Sequence, residues 1–433
     1  MDKVNIFWFR RDLRINDNCG FYNILSDKKN VLPLFIFDKY ILDKLTDKTD
    51  KRVKFIYQEL QAMKKHFEKN NSSFLIAYGT PEEIWEKITK EYNIESVYTN
   101  HDYEPYAKER DQKISEFLKN KSIEFKTFKD QVIFEKNEIL SGQNKPYNVY
   151  TPYKNKWREE FLKADPIFFP SEKHLDKLYK TSNLTSPKLE EMGFQDSDFI
   201  YPDKNINAEM IKDYDKNRDF PAKQETSRMS LHLRFGTVSV RDCVNQAKDL
   251  NDTWLNELIW REFFMMILYN YPQVVTESFR EQYDKIKWLN NQSDFEKWCN
   301  GKTGYPIVDA GMRQLNQTGY MHNRVRLVTA SFLTKHLLID WRWGERYFAE
   351  KLLDYELSSN NGNWQWCAGT GCDAAPYFRV FNPQSQTERF DPKYEYIKKW
   401  VPEYNTVKYP QPMVEHKFAR NRALETYKEA LMK

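Results

Sequence analysis

Apolar residues follow two rhythms along this chain. Across residues 1–130, short unbroken apolar runs alternate with amphipathic stretches. "VNIFWF" (4–9) and "VLPLFIF" (31–37) read as buried strands, "FLIAYG" (74–79) as a third and "SVYTN" (96–100) as a fourth. Between them, Val53, Ile56, Leu60, Met63 and Phe67 share one face of a helix. Thr80, Pro81, Glu82 and Glu83 supply an N-cap, a proline at the first helical position and an acidic third position for another helix. The segment after Glu104 is again helical. Strands alternating with helices predict a parallel sheet, so residues 1–130 are expected to form an α/β domain, Rossmann-like in outline.

Residues 131–205 break the rhythm. They are rich in Pro, Ser, Asn and Lys and show little sustained periodicity. They read as a long interdomain linker with short helices, and a connection of that length usually wraps another domain. From 206 to 433 the period is helical throughout. It is plainest in "TWLNELIWREFFMMILYNY" (253–271), "RLVTASFLTKHLLIDWR" (326–342) and "FARNRALETYKEALMK" (418–433). The expected second domain, 206–433, is therefore all-helical. Within it "LLDYELSSNNGNWQWCAGTGCDAAPYF" (352–378) mixes acids, amides, tryptophans and glycines, and reads as a ligand-binding loop flanked by helices.

Composition narrows the picture only in places. No stretch approaches the roughly 18–20 apolar residues that span a bilayer. "MDKVNIFWFRRDLR" reads as neither signal peptide nor anchor, so a cytoplasmic protein is expected. Cys19, Cys243, Cys299, Cys367 and Cys372 form no CxxC pair, which favours reduced, buried thiols over a metal site. The net charge of +4 permits nucleic-acid binding without arguing for it, so any DNA contact must be a local basic patch. Aromatic residues make up 16% of the chain, and the tryptophans crowd into its later half. That asymmetry suggests flat surfaces for stacking or for moving electrons. No G-x-G-x-x-G follows a strand, so the usual dinucleotide clamp is not supported in the first domain.

Three stretches carry candidate chemistry. In "ETSRMSLHLRFGTVSVRD", Thr226, Ser227 and Ser230 cluster beside Arg228 ahead of a helical stretch. Such a group can hold a phosphate, and a plain helix cap explains the same residues. "NELIWREFF" (256–264) places Glu257, Trp260 and Arg261 on one helix face. They read as a surface ion pair with a core indole, or as the wall of a pocket for a planar group. "MHNRVRLVTASF" (321–332) puts Asn323, Arg326 and Leu327 on one face and turns Arg324 away.

These stretches, with "FWFRRDLRINDN", "YTPYKNKW", "RDFPAKQETSRMSLHLRFG", "GKTGYPIVDAGMRQLNQTGYMHNRVRLVTASF", "LLIDWRWGERYF", "NNGNWQWCAGTGCDAAPYFRVFNP" and "YPQPMVEHK", run in order from residue 7 to residue 417. In that order the sequence resembles the photolyase/cryptochrome family, most closely the class I cyclobutane pyrimidine dimer photolyases. The resemblance implies an α/β domain, an extended linker and a helical domain holding a U-shaped FAD. Tyr214, Thr226, Ser227, Arg228, Met229 and Ser230 match residues on the adenine and phosphate side of FAD. Trp260, Arg261, Arg326, Asp354, Glu356 and Asn360 match those around its centre and isoalloxazine, with Asn360 against the flavin N5 and Asp354 paired to Arg326. Trp288, Trp341 and Trp364 match the family's tryptophan relay. Glu257, Trp260, Asn323 and Trp366 match residues that receive the dimer. Arg218, Arg324 and Arg326 match the rim that meets DNA phosphates. The implied reaction is repair of damaged double-stranded DNA by a monomer. The dimer is flipped out of the duplex, excited reduced FAD lends it one electron, the ring splits and the electron returns.

The sequence departs from the family pattern at three points. Leu327 stands where class I members carry methionine beside the dimer. Glu356 replaces an aspartate near the flavin pyrimidine ring, and one extra methylene must be absorbed there. Tyr106 and Ala107 stand where folate-antenna members carry Asn-Glu. That argues against a folate antenna and leaves a deazaflavin, a flavin or no antenna open. The alternative function is a cryptochrome-type blue-light photoreceptor without repair activity.

Overall fold

The computed structural model describes residues 2–163, 168–182 and 184–432. Its contacts divide into two units, each discontinuous in sequence. One unit comprises Met1–Glu135, Phe161–Ile206 and Arg228–Asp249; the other comprises Lys136–Glu160, Asn207–Ser227 and Leu250–Lys433. The stretch expected as a linker is thus shared between them, with 164–167 and 183 outside the described residues.

In the first unit the apolar runs form the expected strands: β1 (Lys3–Phe9), β2 (Val31–Asp38), β3 (Leu75–Gly79) and β4 (Asn93–Asn100). Helices α1 (Cys19–Asp27), α2 (Lys51–Glu68), α3 (Pro81–Glu91) and α4 (Pro105–Asn120) alternate with them. A further strand, β5 (Glu124–Phe128), was not anticipated. It pairs only with β4, and none of its residues is buried, so it lacks the apolar run that marks the others. The sheet is parallel throughout, in the order β3-β2-β1-β4-β5. The cap predicted at Thr80 is a full capping box: Glu83 N–H donates to Thr80 Oγ1, and Thr80 N–H to the Glu83 carboxylate.

After β5 come α5 (Tyr150–Lys163) and α6 (Val240–Leu250). Arg241 of α6 reaches a buried ion cluster in the α/β unit. It donates to Asp17 at 3.0 Å and to Asp130 at 2.9 Å, while Arg14 holds Asp130 at 2.7 and 2.8 Å. Both aspartate side chains are fully buried. Carboxylates so placed are tolerated only when paired and hydrogen-bonded.

The helical unit is built on α7 (Asp252–Asn270), α8 (Pro306–Thr318), α9 (Asn323–Ser331), α10 (Trp341–Lys351), α11 (Leu357–Ala368) and α12 (His416–Leu431). One core cluster joins Trp298, Met312, Leu315, Val325, Leu333, Trp341, Phe348 and Trp364. Two expectations are corrected here. The single helix read over 326–342 is broken: α9 gives way to a π-turn at Phe332–His336, Leu338 takes φ +49°, and Asp340 caps α10. Leu337, Leu338 and Ile339 stay buried across the break, so the apolar pattern runs on where the helix does not. Conversely, the loop read over 352–378 contains α11. Gly362 lets α11 approach Phe264, whose ring carbon would lie 2.2 Å from a Cβ there. Asn361 and Gln365 donate from their side-chain amides to the Val274 carbonyl at 2.9 and 3.0 Å. The glycine and amides that argued against a helix are what dock this one.

Replacing Arg241 with methionine should cost about 3–5 kcal/mol at neutral pH, because two buried carboxylates lose a partner. Burial pushes the Asp130 carboxyl up, but Arg14 and Arg241 outweigh it and hold it below its usual value. The stabilisation is therefore present above the carboxylate range and lost as pH falls through it. Urea titrations at pH 7 and in acid should show the penalty shrinking in acid.

Candidate functional site

The helical unit encloses a cleft of about 510 Å³, counting its mouth. Ligand pockets are mostly apolar with a few convergent polar groups. This one fits that description. Leu327, Ala330, Phe348, Leu352 and Trp364 supply apolar wall; Asn323, Arg326, Asp354, Glu356 and Asn360 supply the polar groups. Seven residues singled out from sequence thus line one cavity: Asn323, Arg326, Leu327, Asp354, Glu356, Asn360 and Trp364.

Its polar groups are held in place. Arg326 of α9 donates from one nitrogen to both oxygens of Asp354, at 3.1 and 2.9 Å, and from Nε to the Met321 carbonyl at 2.7 Å. Arg261 of α7 lies 3.4 Å from Glu356, which also accepts from Ser359 at 3.2 Å. The longer Glu356 side chain is thus spent on an ion pair across helices. Asn360 donates from Nδ2 to the backbone carbonyl of Glu345 at 3.1 Å and to its carboxyl at 2.8 Å. A backbone carbonyl can only accept, so the amide orientation is fixed and Oδ1 is left as the acceptor.

The other candidates of this unit join the cleft through contacts or stand beside it. Thr226 Oγ1 is 3.3 Å from the Tyr320 hydroxyl, and the Arg326 guanidinium lies over the Tyr320 ring. Trp254 Nε1 donates to Ser227 at 3.3 Å. Arg218, near the half-buried Tyr214 ring, donates to Glu257, and Arg324 donates to Asp219 at 2.7 Å while covering Phe390. Trp260 and Trp366 are half-buried and line no part of the cleft. Arg228, Met229 and Ser230 belong to the α/β unit; Arg228 takes a left-handed φ of +52° just before the short helix Ser230–Phe235.

Burial pushes the Glu257 carboxyl above its usual value. The Arg218 guanidinium opposes the shift. Trp341 and Trp364 are buried and Trp288 half-buried in one core cluster. No ring-to-ring contact links these three directly among the described residues. Trp364 instead meets Phe348 at 4.9 Å and Trp298 at 6.1 Å. Sequence reading missed Trp298, Asp219, Glu345 and Tyr150. All four sit close to or inside stretches already singled out, but their partners lie far away in sequence. In the α/β unit, the Tyr106 hydroxyl is committed to Asp38, and Ala107 is buried.

A parallel α/β unit joined to a helical unit whose cleft sets arginine–carboxylate pairs among aromatic walls defines the photolyase/cryptochrome class. Comparison with known proteins agrees. The family described as "FAD binding domain of DNA photolyase" matches residues 254–408, and "DNA photolyase" matches residues 5–171. A deoxyribodipyrimidine photo-lyase of Vibrio cholerae is 35% identical over 99% of this chain and 100% of its own. Among solved structures, a class III photolyase from Agrobacterium tumefaciens superposes with a TM-score of 0.87 at 30% identity, covering 100% of this chain and 98% of that one. An archaeal photolyase from Sulfolobus tokodaii with two FAD molecules gives 0.82 at 34%, covering 99% and 100%. A cryptochrome from Synechocystis gives 0.86 at 25%, covering 98% and 99%. The chain belongs to the DNA photolyase family.

Arg218→Ala should destabilise the protein by about 1 kcal/mol at pH 7, a modest value because a third of the Glu257 side chain stays exposed. The Glu257 carboxyl should then rise further, so the loss should be smaller at pH 4, where that group is protonated in both proteins. Urea midpoints at the two pH values measure this.

Proposed function

We propose that this protein repairs cyclobutane pyrimidine dimers in double-stranded DNA by light-driven electron transfer, with FAD bound in its helical unit. The observation that carries this reading is the single cleft onto which Asn323, Arg326, Leu327, Asp354, Asn360 and Trp364 converge. The donor set suits an isoalloxazine: cationic Arg326 and Arg261 for a reduced, anionic ring, and a fixed amide at Asn360 for its N–H edge. When bound, FAD supplies the photo-excited electron that the splitting reaction borrows and recovers.

Each remaining role falls to the chain. Arg218 and Arg324 give sequence-independent affinity for phosphates. Their pairing to Glu257 and Asp219 keeps both guanidiniums at the rim until DNA arrives. Trp260 and Trp366 offer stacking surfaces worth ~1–3 kcal/mol per base, which offsets the few kcal/mol that flipping costs. When Arg218 turns from it to a phosphate, Glu257 loses the partner that favours its ionised form and can donate to a thymine carbonyl as negative charge develops there. Thr226 and Ser227, with Arg228, Met229, Ser230 and Tyr214, hold the nucleotide half of FAD. Trp288, Trp341 and Trp364 carry electrons from the surface to oxidised flavin. The protein acts as a monomer in the cytoplasm, and among the described residues no helix is long and apolar enough to cross a membrane. The photoreceptor alternative is less well supported, because the curated relative named above carries the photo-lyase name.

Reduced, illuminated protein should restore an oligonucleotide containing a cyclobutane dimer and leave a (6-4) product untouched. Trp366→Ala should weaken lesion binding by ~1–3 kcal/mol with undamaged-duplex binding almost unchanged. Gel-shift titrations on both duplexes, with a repair assay on both lesions, check this; equal affinity for damaged and intact duplex would return the photoreceptor reading. A separate expectation concerns the relay. Trp341→Phe should slow photoreduction of oxidised FAD, yet chemically reduced enzyme should repair at nearly the parental rate, as transient absorption and the repair assay would show.

A further inference from the structure

The indole of Trp260 is stacked face to face with the ring of Tyr150, at a centroid separation of 3.6 Å and an interplanar angle of 8°. Nothing in the functional reading uses this contact. We propose that Tyr150 is a positioning residue for Trp260, fixing the plane on which a flipped-out pyrimidine dimer stacks and so setting lesion affinity. The proposal rests on Trp260 being a dimer-receiving surface.

The two rings differ in how they are anchored. Tyr150 is buried and held at several points. Its N–H donates to Asp373 Oδ2 at 3.1 Å, its hydroxyl donates to the Asn256 carbonyl at 2.9 Å, and its ring meets Phe263 at 5.8 Å and 75°. Asn256 lies one turn before Trp260 on α7, so the phenol is pinned to the helix that carries the indole. Trp260 is half-buried, and its indole N–H makes no hydrogen bond among the described contacts. Its orientation is left to ring packing: Tyr150 on one face, Phe263 at 5.6 Å and 83°, and Phe264 at 5.4 Å and 29°. A half-buried indole free to change rotamer would lose that freedom each time a base stacked on it. A ring that holds it beforehand removes the cost from binding. Glu257 lies one turn from Trp260 on the same face and is the charge that acts most strongly on the Tyr150 hydroxyl, so the platform and the carboxyl stand side by side.

The test uses FAD-loaded Tyr150→Leu, Tyr150→Met and Tyr150→Phe proteins, with Trp260→Ala beside them. Each is titrated by gel shift against a duplex carrying one cyclobutane thymine dimer and against the same duplex undamaged. Flavin absorbance and melting temperature are recorded for all. Loss of the ring in the Leu and Met variants should weaken lesion binding by about five- to tenfold, within the range a ring stack contributes. Undamaged-duplex affinity should stay within about twofold, and Tyr150→Phe should recover most of the lesion affinity. Unchanged lesion affinity in Leu and Met, or an equal loss on both duplexes, overturns the proposal. So does a Phe variant as weak as Leu, because the hydroxyl anchor alone would then be at work. If Trp260→Ala itself keeps lesion affinity, the reading of Trp260 falls and the proposal with it; if Trp260→Ala loses affinity while Leu and Met do not, only the role of Tyr150 falls.

Discussion

Charge in and around an aromatic cleft must be paired, and four arginine–carboxylate pairs meet that demand in the helical unit: Arg218 with Glu257, Arg324 with Asp219, Arg326 with Asp354 and Arg261 with Glu356. Each joins segments far apart in sequence. Arg218 and Asp219 are neighbours in the chain, yet one reaches α7 and the other α9. That dipeptide therefore spans the distance between the helix carrying Glu257 and the helix carrying Asn323. Paired charges of this kind contribute little net stability, and removing one partner costs more the deeper the pair is buried. The pairs thus act less as glue than as constraints on which helix arrangements are allowed.

The same constraint prepares the site. An arginine already oriented by a carboxylate needs little reorganisation to meet a phosphate or an anionic ring, and electrostatic preorganisation of this sort is where binding sites gain most. Asn360 shows the principle with neutral groups. Its amide is locked by the Glu345 carbonyl and carboxyl, and burial pushes that carboxyl above its usual value. The neighbouring glycines serve the same end. Gly344 and Gly362 let α10 and α11 approach Trp364 and Phe264 at distances a Cβ would forbid, so the cleft wall is set by ring-to-backbone packing.

How much of this could be read from the chain depended on the range of the interaction. Strands β1 to β4 announce themselves because each is a buried apolar run with its own signal. β5 does not, because an edge strand with no fully buried residue carries no such run. The break after α9 was hidden because burial continues through Leu337–Ile339 while the backbone turns. Helix α11 was hidden for the opposite reason: its amides and glycine look like loop residues until Val274 and Phe264 are placed beside them. Seven of the cleft residues were named through family resemblance. Their partners were not, since Asp219, Glu345 and Tyr150 acquire meaning only from helices distant in sequence. The division of the chain into interleaved units was likewise invisible to composition, which marks off 131–205 but not the return of 228–249 to the α/β unit.

The chemistry of the damaged base turns on what the α9 end of the cleft can and cannot donate. Asn323 and Leu327 have no transferable proton at neutral pH. The histidine beside them, His322, is buried, and burial pushes its imidazole down to about 4. Its Nδ1 accepts the Arg324 N–H at 3.2 Å and so caps α9 in the neutral form. An imidazolium at this point would lose that cap, be repelled by Arg326 and Arg324, and be buried away from solvent, which together outweigh the pull of Asp219. This stretch therefore offers no cationic acid for a reaction that requires protonation of the lesion. Splitting a cyclobutane ring needs one electron and no obligatory proton. A cleft that fixes an arginine and an amide, walled by Trp364 and bordered by a neutral histidine, is suited to that reaction.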